Sequence, residues 1–229
     1  MIYVTGDTHG QFGRIIEFCE RLQTKQEDIL IILGDAGINY SGGWRDIKKK
    51  RLLETLRITI FCIHGNHEKR PSTIDTYREK SWHGGIVYYE ETYPHLLFAK
   101  DGEVFELNGR NAIAIGGAYS VDKMIRLMYD YEWWVDEQPS EEIKAYVERQ
   151  LDKMKWKVDV VLSHTTPLKY EPVEVFQQEI AQSKVDKTTE EWLDNIEDKL
   201  DYGKWFCGHH HTEKKVNKLE IMFEKFAEF

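Results

Sequence analysis

The sequence predicts an α/β fold built on parallel strands, and three observations predict it. Short, wholly apolar runs alternate with amphipathic ones through the first third of the chain. Glycine-punctuated, hairpin-like runs follow between Gly84 and Gly117. Side chains able to bind ions stand just after most of the apolar runs. In an open α/β sheet, ligands gather beyond the carboxyl ends of the strands, so the third observation fits the first.

Ile2 to Thr5 reads as a strand, and Phe12 to Leu22 as an amphipathic helix with Phe12, Ile15, Ile16, Cys19 and Leu22 on one side. Ile29 to Leu33 has no polar residue, as expected of a strand covered on both faces. A helix over roughly Trp44 to Leu56 and a strand over Ile58 to Ile63 complete an alternation that favours right-handed parallel crossovers. Ile86 to Tyr89, Leu96 to Ala99, Glu103 to Leu107 and Ala112 to Ile115 read as short strands. Asp101-Gly102 and Asn108-Gly109 between them are hairpin signals, and the run suggests an antiparallel second sheet or an extension of the first. Ser140-Glu141-Glu142-Ile143 is a near miss for a capping box and opens a helix after Gln138-Pro139. Val158 to Leu162 is a further buried strand, Glu190 to Leu200 a helix, and Trp205 to Cys207 a strand. Lys218 to Phe229 provides one or two closing strands.

A length of 229 residues suits one compact domain with its own core. No repeat, low-complexity tract or linker divides the chain, so residues 1–229 are expected to form a single domain. The longest apolar stretch, Ile29 to Leu33, is far short of the roughly 20 residues that cross a bilayer. Ile2-Tyr3-Val4 enters a strand at once, without the basic and apolar regions of a signal peptide. A cytoplasmic protein with no membrane association is the expectation. Cys19, Cys62 and Cys207 are odd in number and widely spaced, which predicts buried thiols and no disulfide framework. A net charge of −9 argues against a large nucleic-acid footprint. The basic run Lys48-Lys49-Lys50-Arg51 has two readings, a solvated helix face, which is favoured, and a grip on a polyanion.

The chemistry sits in five clusters: Gly6-Asp7-Thr8-His9-Gly10, Gly34-Asp35, Gly65-Asn66-His67-Glu68, Ser163-His164 and Gly208-His209-His210-His211. Each places carboxylate, amide or imidazole groups where a strand stops. Alternation along an extended Asp7-Thr8-His9 would put Asp7 and His9 on one side. Burying this many unpaired carboxylates and imidazoles would be costly without cations. Mixed oxygen and nitrogen donors suit manganese, iron, zinc or nickel better than calcium or magnesium.

In order and type, D-x-H, G-D, G-N-H-E, H and G-H-x-H resemble the calcineurin-like metallophosphoesterase superfamily. The likeness runs from Gly6 to His211. It implies a four-layer αββα arrangement, a two-sheet β-sandwich flanked by helices. It also implies two divalent cations, manganese being favoured and an iron–zinc pair the other choice. The first would take Asp7, His9, Asp35 and His211, the second Asp35, Asn66, His164 and His209, with Asp35 bridging. By the same resemblance, a metal-bridging hydroxide attacks phosphorus, and His67 binds the phosphate or protonates the leaving oxygen. His64, His83, His95 and His210 are expected to serve structure or solvent, although His64 and His83 could line the cleft.

One departure separates this chain from the phosphoprotein phosphatases. Their G-D motif runs on to D-R-G, which supplies a phosphate-gripping arginine. Here the chain reads Gly34-Asp35-Ala36-Gly37-Ile38-Asn39. Tyr119 and Arg126, in the segment after Gly116-Gly117, are the candidates to grip substrate instead, with Arg45 and Arg70 as others. Tyr129, Tyr131, Trp133 and Trp134 could stack on an aromatic group or simply pack. The resulting expectation is a phosphomonoesterase or phosphodiesterase for a small molecule or nucleotide. Alternatives are a serine/threonine phosphatase, a nuclease, and a catalytically silent protein-binding scaffold. A scaffold would be expected to have lost ligands or the catalytic histidine, and this chain keeps them.

Overall fold

The computed structural model describes residues 1–229. In chain order the elements are β1 (Ile2–Thr5), α1 (Gly13–Leu22), β2 (Ile29–Ile32), α2 (Trp44–Glu54), β3 (Thr59–Cys62), β4 (Arg78–Trp82), β5 (Gly85–Glu90) and β6 (Tyr93–Ala99). There follow β7 (Val104–Leu107), β8 (Arg110–Ile115), α3 (Lys123–Met128), α4 (Glu141–Lys153), β9 (Lys157–Ser163), α5 (Thr188–Glu197) and β10 (Asp201–Cys207). The chain closes with β11 (Lys214–Val216), β12 (Leu219–Ile221) and β13 (Phe226–Glu228).

The strands form a seven-stranded sheet, β13-β1-β2-β3-β6-β5-β4, and a six-stranded sheet, β11-β12-β10-β9-β8-β7. Each has a parallel centre, β1-β2-β3-β6 in the first and β8-β9-β10-β12 in the second, with antiparallel edges. The inner faces pack on each other through Val4, Ile31, Phe61 and Leu97 from one sheet and Phe105, Ala114, Leu162 and Phe206 from the other. On the outer face of the first sheet, Ile15 and Phe18 of α1 and Leu53 of α2 cover Leu30, Ile32 and Ile60. Val147 and Leu151 of α4, with Leu193 and Ile196 of α5, cover Ile113, Val161 and Trp205 of the second. This is the helix–sheet–sheet–helix arrangement the motifs imply. The parallel-centre strands are covered on both faces, which is why the apolar runs carry no alternation.

The hairpin-like region divides between the sheets. Asn108 (φ 50°) and Gly109 (φ 72°) make the left-handed pair of a tight β7–β8 hairpin, with Leu107 opposite Arg110. Asp101-Gly102, expected to make another hairpin, instead hands the chain from β6 in one sheet to β7 in the other. Its carboxylate explains the departure: Asp101 accepts from the Gly116 backbone N–H at the end of β8 (2.6 Å) and pairs with Arg70. The turn therefore staples the two sheets. β4 lacks an apolar period because it is an edge strand of largely exposed residues, joined to β5 by His83 (φ 47°) and Gly84 (φ 86°). Ser140 caps α4, its hydroxyl accepting from Ile143 N–H at 3.4 Å. α3 falls where only a loop was expected.

The basic run on α2 is partly spent inside the fold. Lys50 is buried against Glu90 (2.6 Å) and Lys49 donates to the Gly37 carbonyl (2.9 Å). All three cysteines are buried free thiols, and no helix is long and apolar enough to cross a membrane.

Phe105 lies at the centre of the inter-sheet core, fully buried and edge-on to Phe61 at 4.9 Å. Phe105→Ala is expected to cost about 3–5 kcal/mol of unfolding free energy in a urea titration, the usual loss for an aromatic cavity that cannot collapse. A loss below about 1 kcal/mol would show that the sheets close over the gap.

Candidate metal centre

The parallel-centre strands end at one edge and deliver the motif residues there. β1 leads into Asp7 and His9, β2 into Asp35, β3 into Asn66 and His67, β9 into His164, and β10 into the His209–His211 turn. The chain leaves these strands in sharp turns. His9 (φ 47°), Asp35 (φ 47°), His209 (φ 68°) and His211 (φ 47°) all hold left-handed backbone, which is uncommon outside glycine and collects at functional sites. Asp7 and His9 are therefore brought together by a turn, not by the alternation of an extended segment. Arg14 of α1 fastens that turn, donating to the backbone carbonyls of Gly6 (3.1 Å) and Asp7 (2.8 Å).

Glycine is required where two loops touch. A Cβ on Gly34 (φ 102°) would lie 2.0 Å from His164 Nδ1, and one on Gly65 would lie 2.0 Å from Asp35 Oδ1. No side chain fits at either position while Asp35 and His164 stay where they are.

Each of the two buried carboxylates uses one oxygen for the fold. Asp7 Oδ1 accepts from His209 N–H (2.8 Å) and Asp35 Oδ1 from His67 N–H (2.8 Å). The other oxygens, Asp7 Oδ2 and Asp35 Oδ2, are buried without a hydrogen-bond partner. Around Asp7 Oδ2 stand His211 Nε2 (3.3 Å) and His9 Nε2 (3.8 Å), the two rings meeting at 2.8 Å. Asp35 Oδ2 lies 3.9 Å from His9 Nδ1 and 3.9 Å from His164 Nε2. Asn66 Oδ1 lies 2.8 Å from His164 Nε2 and 3.0 Å from His209 Nδ1. The candidate residues thus fall into two groups with Asp35 between them.

His164 Nδ1 faces the Leu33 carbonyl at 2.7 Å, which can only accept, so Nδ1 carries a proton. The other ring nitrogen, Nε2, faces Asn66 Oδ1 at 2.8 Å, and Asn66 Nδ2 donates to Ser120 Oγ at 2.8 Å. An imidazole nitrogen, an amide oxygen and a carboxylate oxygen without a hydrogen-bond partner thus stand together. Such a donor set fits divalent cations that take imidazole and carboxylate together. The Leu33 carbonyl and Ser120 supply the outer contacts that aim first ligands.

The ionisable groups here act strongly on one another. Burial pushes the Asp7 carboxyl up, but His211 beside it and the nearby His164 and His9 outweigh this and hold it below the usual carboxylate range. Burial drives His209 well below the ordinary imidazole value, and lowers His67 despite the opposing pull of Asp35. His211 moves the other way, raised chiefly by the neighbouring Asp7 carboxylate. Glu68, fully buried and accepting from Gly65 N–H (3.1 Å), is pushed up to about 8 by burial and by Asp35. It braces the turn that carries Asn66.

A search of the curated proteins finds no match to this sequence. Residues 1–213, however, match the calcineurin-like phosphoesterase family. The chain belongs to that family. Among solved structures, the chain resembles phosphopantetheinyl hydrolase (PptH) from Mycobacterium tuberculosis, at 12% identity and TM-score 0.53 over 97% of this chain and 87% of that one. It also resembles TT1561 of Thermus thermophilus, at 11% identity and TM-score 0.51 with the same coverage of 97% and 87%. At such identities the likeness is one of fold.

A cavity of about 360 Å³ opens beside the cluster, lined there by Asp35, Asn66, His67 and His209–His211. His210 joins none of the polar contacts in the cluster but lines this cavity, its ring 6.1 Å from that of Phe176, so it is not spent on structure alone. His64 lines a different pocket, with Arg70 and Asp101. His83 sits in the β4–β5 turn and His95 pairs with Glu54. Tyr119 reaches the cavity wall, whereas Arg126 does not line it. The Arg126 guanidinium is held by Asp122 (2.8 Å), the Tyr40 hydroxyl (3.0 Å) and the Glu132 carbonyl (3.2 Å). Trp133 bonds Glu137 (2.7 Å), and neither it nor Tyr129, Tyr131 or Trp134 lines the cavity. Ile38 and Asn39, at the D-R-G positions, are buried, Ile38 under α1 and Asn39 against the Tyr77 hydroxyl (3.0 Å).

Glu190, on the first turn of α5, is a cavity residue that no motif signals. It is 4% exposed, and its Oε2 has no partner. Burial, only partly offset by Thr165, raises its carboxyl from 4.5 to about 7. A raised carboxyl pKa means that the unfolded chain ionises first as pH rises. The associated stability is complete below about 4.5 and is lost between there and about 7, by on the order of 3 kcal/mol at most. Glu190→Gln, which cannot ionise, should therefore stabilise the protein more at pH 8 than at pH 4.5 in urea unfolding. An equal effect at both values would rule out the buried charge as the cause.

Proposed function

We propose that the protein is a binuclear-metal-dependent phosphoesterase that hydrolyses phosphomonoesters or phosphodiesters of small molecules or nucleotides. The observation that carries the proposal is the convergence of acceptors on both sides of Asp35, with Asp7 Oδ2 and Asp35 Oδ2 buried and unpartnered. Asp7, His9, Asp35 and His211 would hold one divalent cation, and Asp35, Asn66, His164 and His209 the other. Manganese is favoured, with iron and zinc as alternatives. Bound there, the pair would polarise a phosphoryl oxygen and make water acidic enough to attack at neutral pH.

The chain's own groups do the rest. Asp35 keeps its second oxygen free because His67 N–H occupies the first, so the two ligand groups share one rigid anchor. Burial keeps the His67 imidazole neutral at pH 7, with one ring N–H, and its ring lines the cavity. The neutral His67 ring is thereby placed to donate its N–H in a hydrogen bond to a phosphoryl oxygen; to protonate the departing oxygen it would first take up a proton and act as imidazolium. With core residues at the D-R-G positions and no arginine or lysine lining the cavity, a phosphoprotein or nucleic-acid substrate is disfavoured.

Elemental analysis after manganese loading should find two ions per chain, with metal-dependent turnover of p-nitrophenyl phosphate or its bis ester. Asp35→Ala should lose both metal and turnover. Full loading with turnover of neither ester would point to a protein-binding scaffold instead. His67→Ala should lower kcat by about 10²–10⁴-fold, the span general acids contribute, with metal content close to wild type. Loss of bound metal in that variant would refute the role given to His67.

A further inference from the structure

The wall of the cavity opposite the cluster differs from the cluster in kind. Val175, Phe176, Ile180 and Val185 give it an apolar stretch, and Glu171, Asp186 and Glu190 stand among them. No lysine or arginine lines the cavity; Lys187 pairs with Glu171 at 2.6 Å, and Arg126 with Asp122 at 2.8 Å. Asp186 is satisfied as well, by Thr188 N–H (3.0 Å) and the Gln138 amide (3.1 Å). Glu190 Oε2, by contrast, is buried in this wall and lacks a partner, as does Oδ1 of Asp122 elsewhere on the cavity lining.

We propose that this cavity selects phosphate esters whose organic part is compact, partly apolar and positively charged, and that Glu190 reads that charge. The inference rests on the phosphoesterase reading and specifies its substrate class. A phosphoryl group engaged at Asp35 and His67 would leave its organic part against the apolar stretch and within the reach of Glu190. An ammonium there gives the unpartnered carboxylate the charge-assisted contact that burial denies it. A second phosphate or carboxylate would meet acids with no cation among the lining residues to answer it, and leaving like charges together in a desolvated wall is costly.

Three small monoesters separate the possibilities: O-phosphoethanolamine, glycerol 1-phosphate and 3-phosphoglycerate. Each carries one phosphate, with an ammonium, a neutral and a carboxylate partner group respectively. Titration calorimetry on the manganese-loaded protein at pH 8 should rank them in that order. The ammonium ester should bind at least about tenfold more tightly than the carboxylate ester, the scale of one charge-assisted hydrogen bond. In Glu190→Gln the ratio between these two should shrink to about threefold or less. An equal or reversed order in the wild type overturns the proposal, as does an unchanged ratio in a folded Glu190→Gln protein. If none of the three binds while a p-nitrophenyl ester is turned over, charge selection is wrong and the phosphoesterase reading stands. If no ester binds or turns over, both fall.

Discussion

Asp7 and Asp35 are buried carboxylates, each with one oxygen bonded to a backbone N–H and the other left without a partner. An isolated charge in such surroundings carries a desolvation cost that no single neutral contact offsets. The fold tolerates two of them because the imidazoles of His9, His211 and His164 stand within 4 Å, and divalent cations would complete the arrangement. Much else near the edge serves to hold these groups still. Arg14 ties down the turn of Asp7, Glu68 braces the turn of Asn66, and Leu33 and Ser120 hold His164 and Asn66 by hydrogen bonds.

The two-sheet architecture is what makes this constraint workable. Asp7, Asp35 and Asn66 come from the first sheet, and His164 and His209 from the second. Neither sheet alone holds either of the two candidate ligand groups in full. Relative placement of the sheets is set by the inter-sheet core around Phe105 and by Asp101, which bonds the end of β8 from the connection after β6. The site is therefore a product of the packing between layers. Its positive-φ backbone at His9, Asp35, His209 and His211 is strain that this packing sustains.

The open side of the site has a different character. Where a phosphoprotein phosphatase would present an arginine, this chain buries Ile38 and Asn39 in the core under the first sheet. Arg126, the residue nearest to a replacement by sequence, is held by Asp122, Tyr40 and Glu132 away from the cavity lining. The remaining wall is apolar and acidic, unlike the histidine-rich side of the cavity.

Strand ends and the ion-binding clusters were legible in the sequence because each has a local cause, while the layer order came only through the family resemblance. A strand covered on both faces must be apolar throughout, as Ile29–Ile32 is, and a two-residue left-handed turn asks for Asn108-Gly109. The resemblance added the expected ligand groups, and those side chains do lie together. Contacts between distant parts of the chain had no local signature. Asp101-Gly102 looks like a hairpin until Gly116 and Arg70 claim its carboxylate, and β4 is too polar to show a period because its edge faces solvent. Glu190 reads as one more acid at the start of a helix; only the tertiary structure buries it in a cavity wall, because burial belongs to the packed layers and not to any short segment.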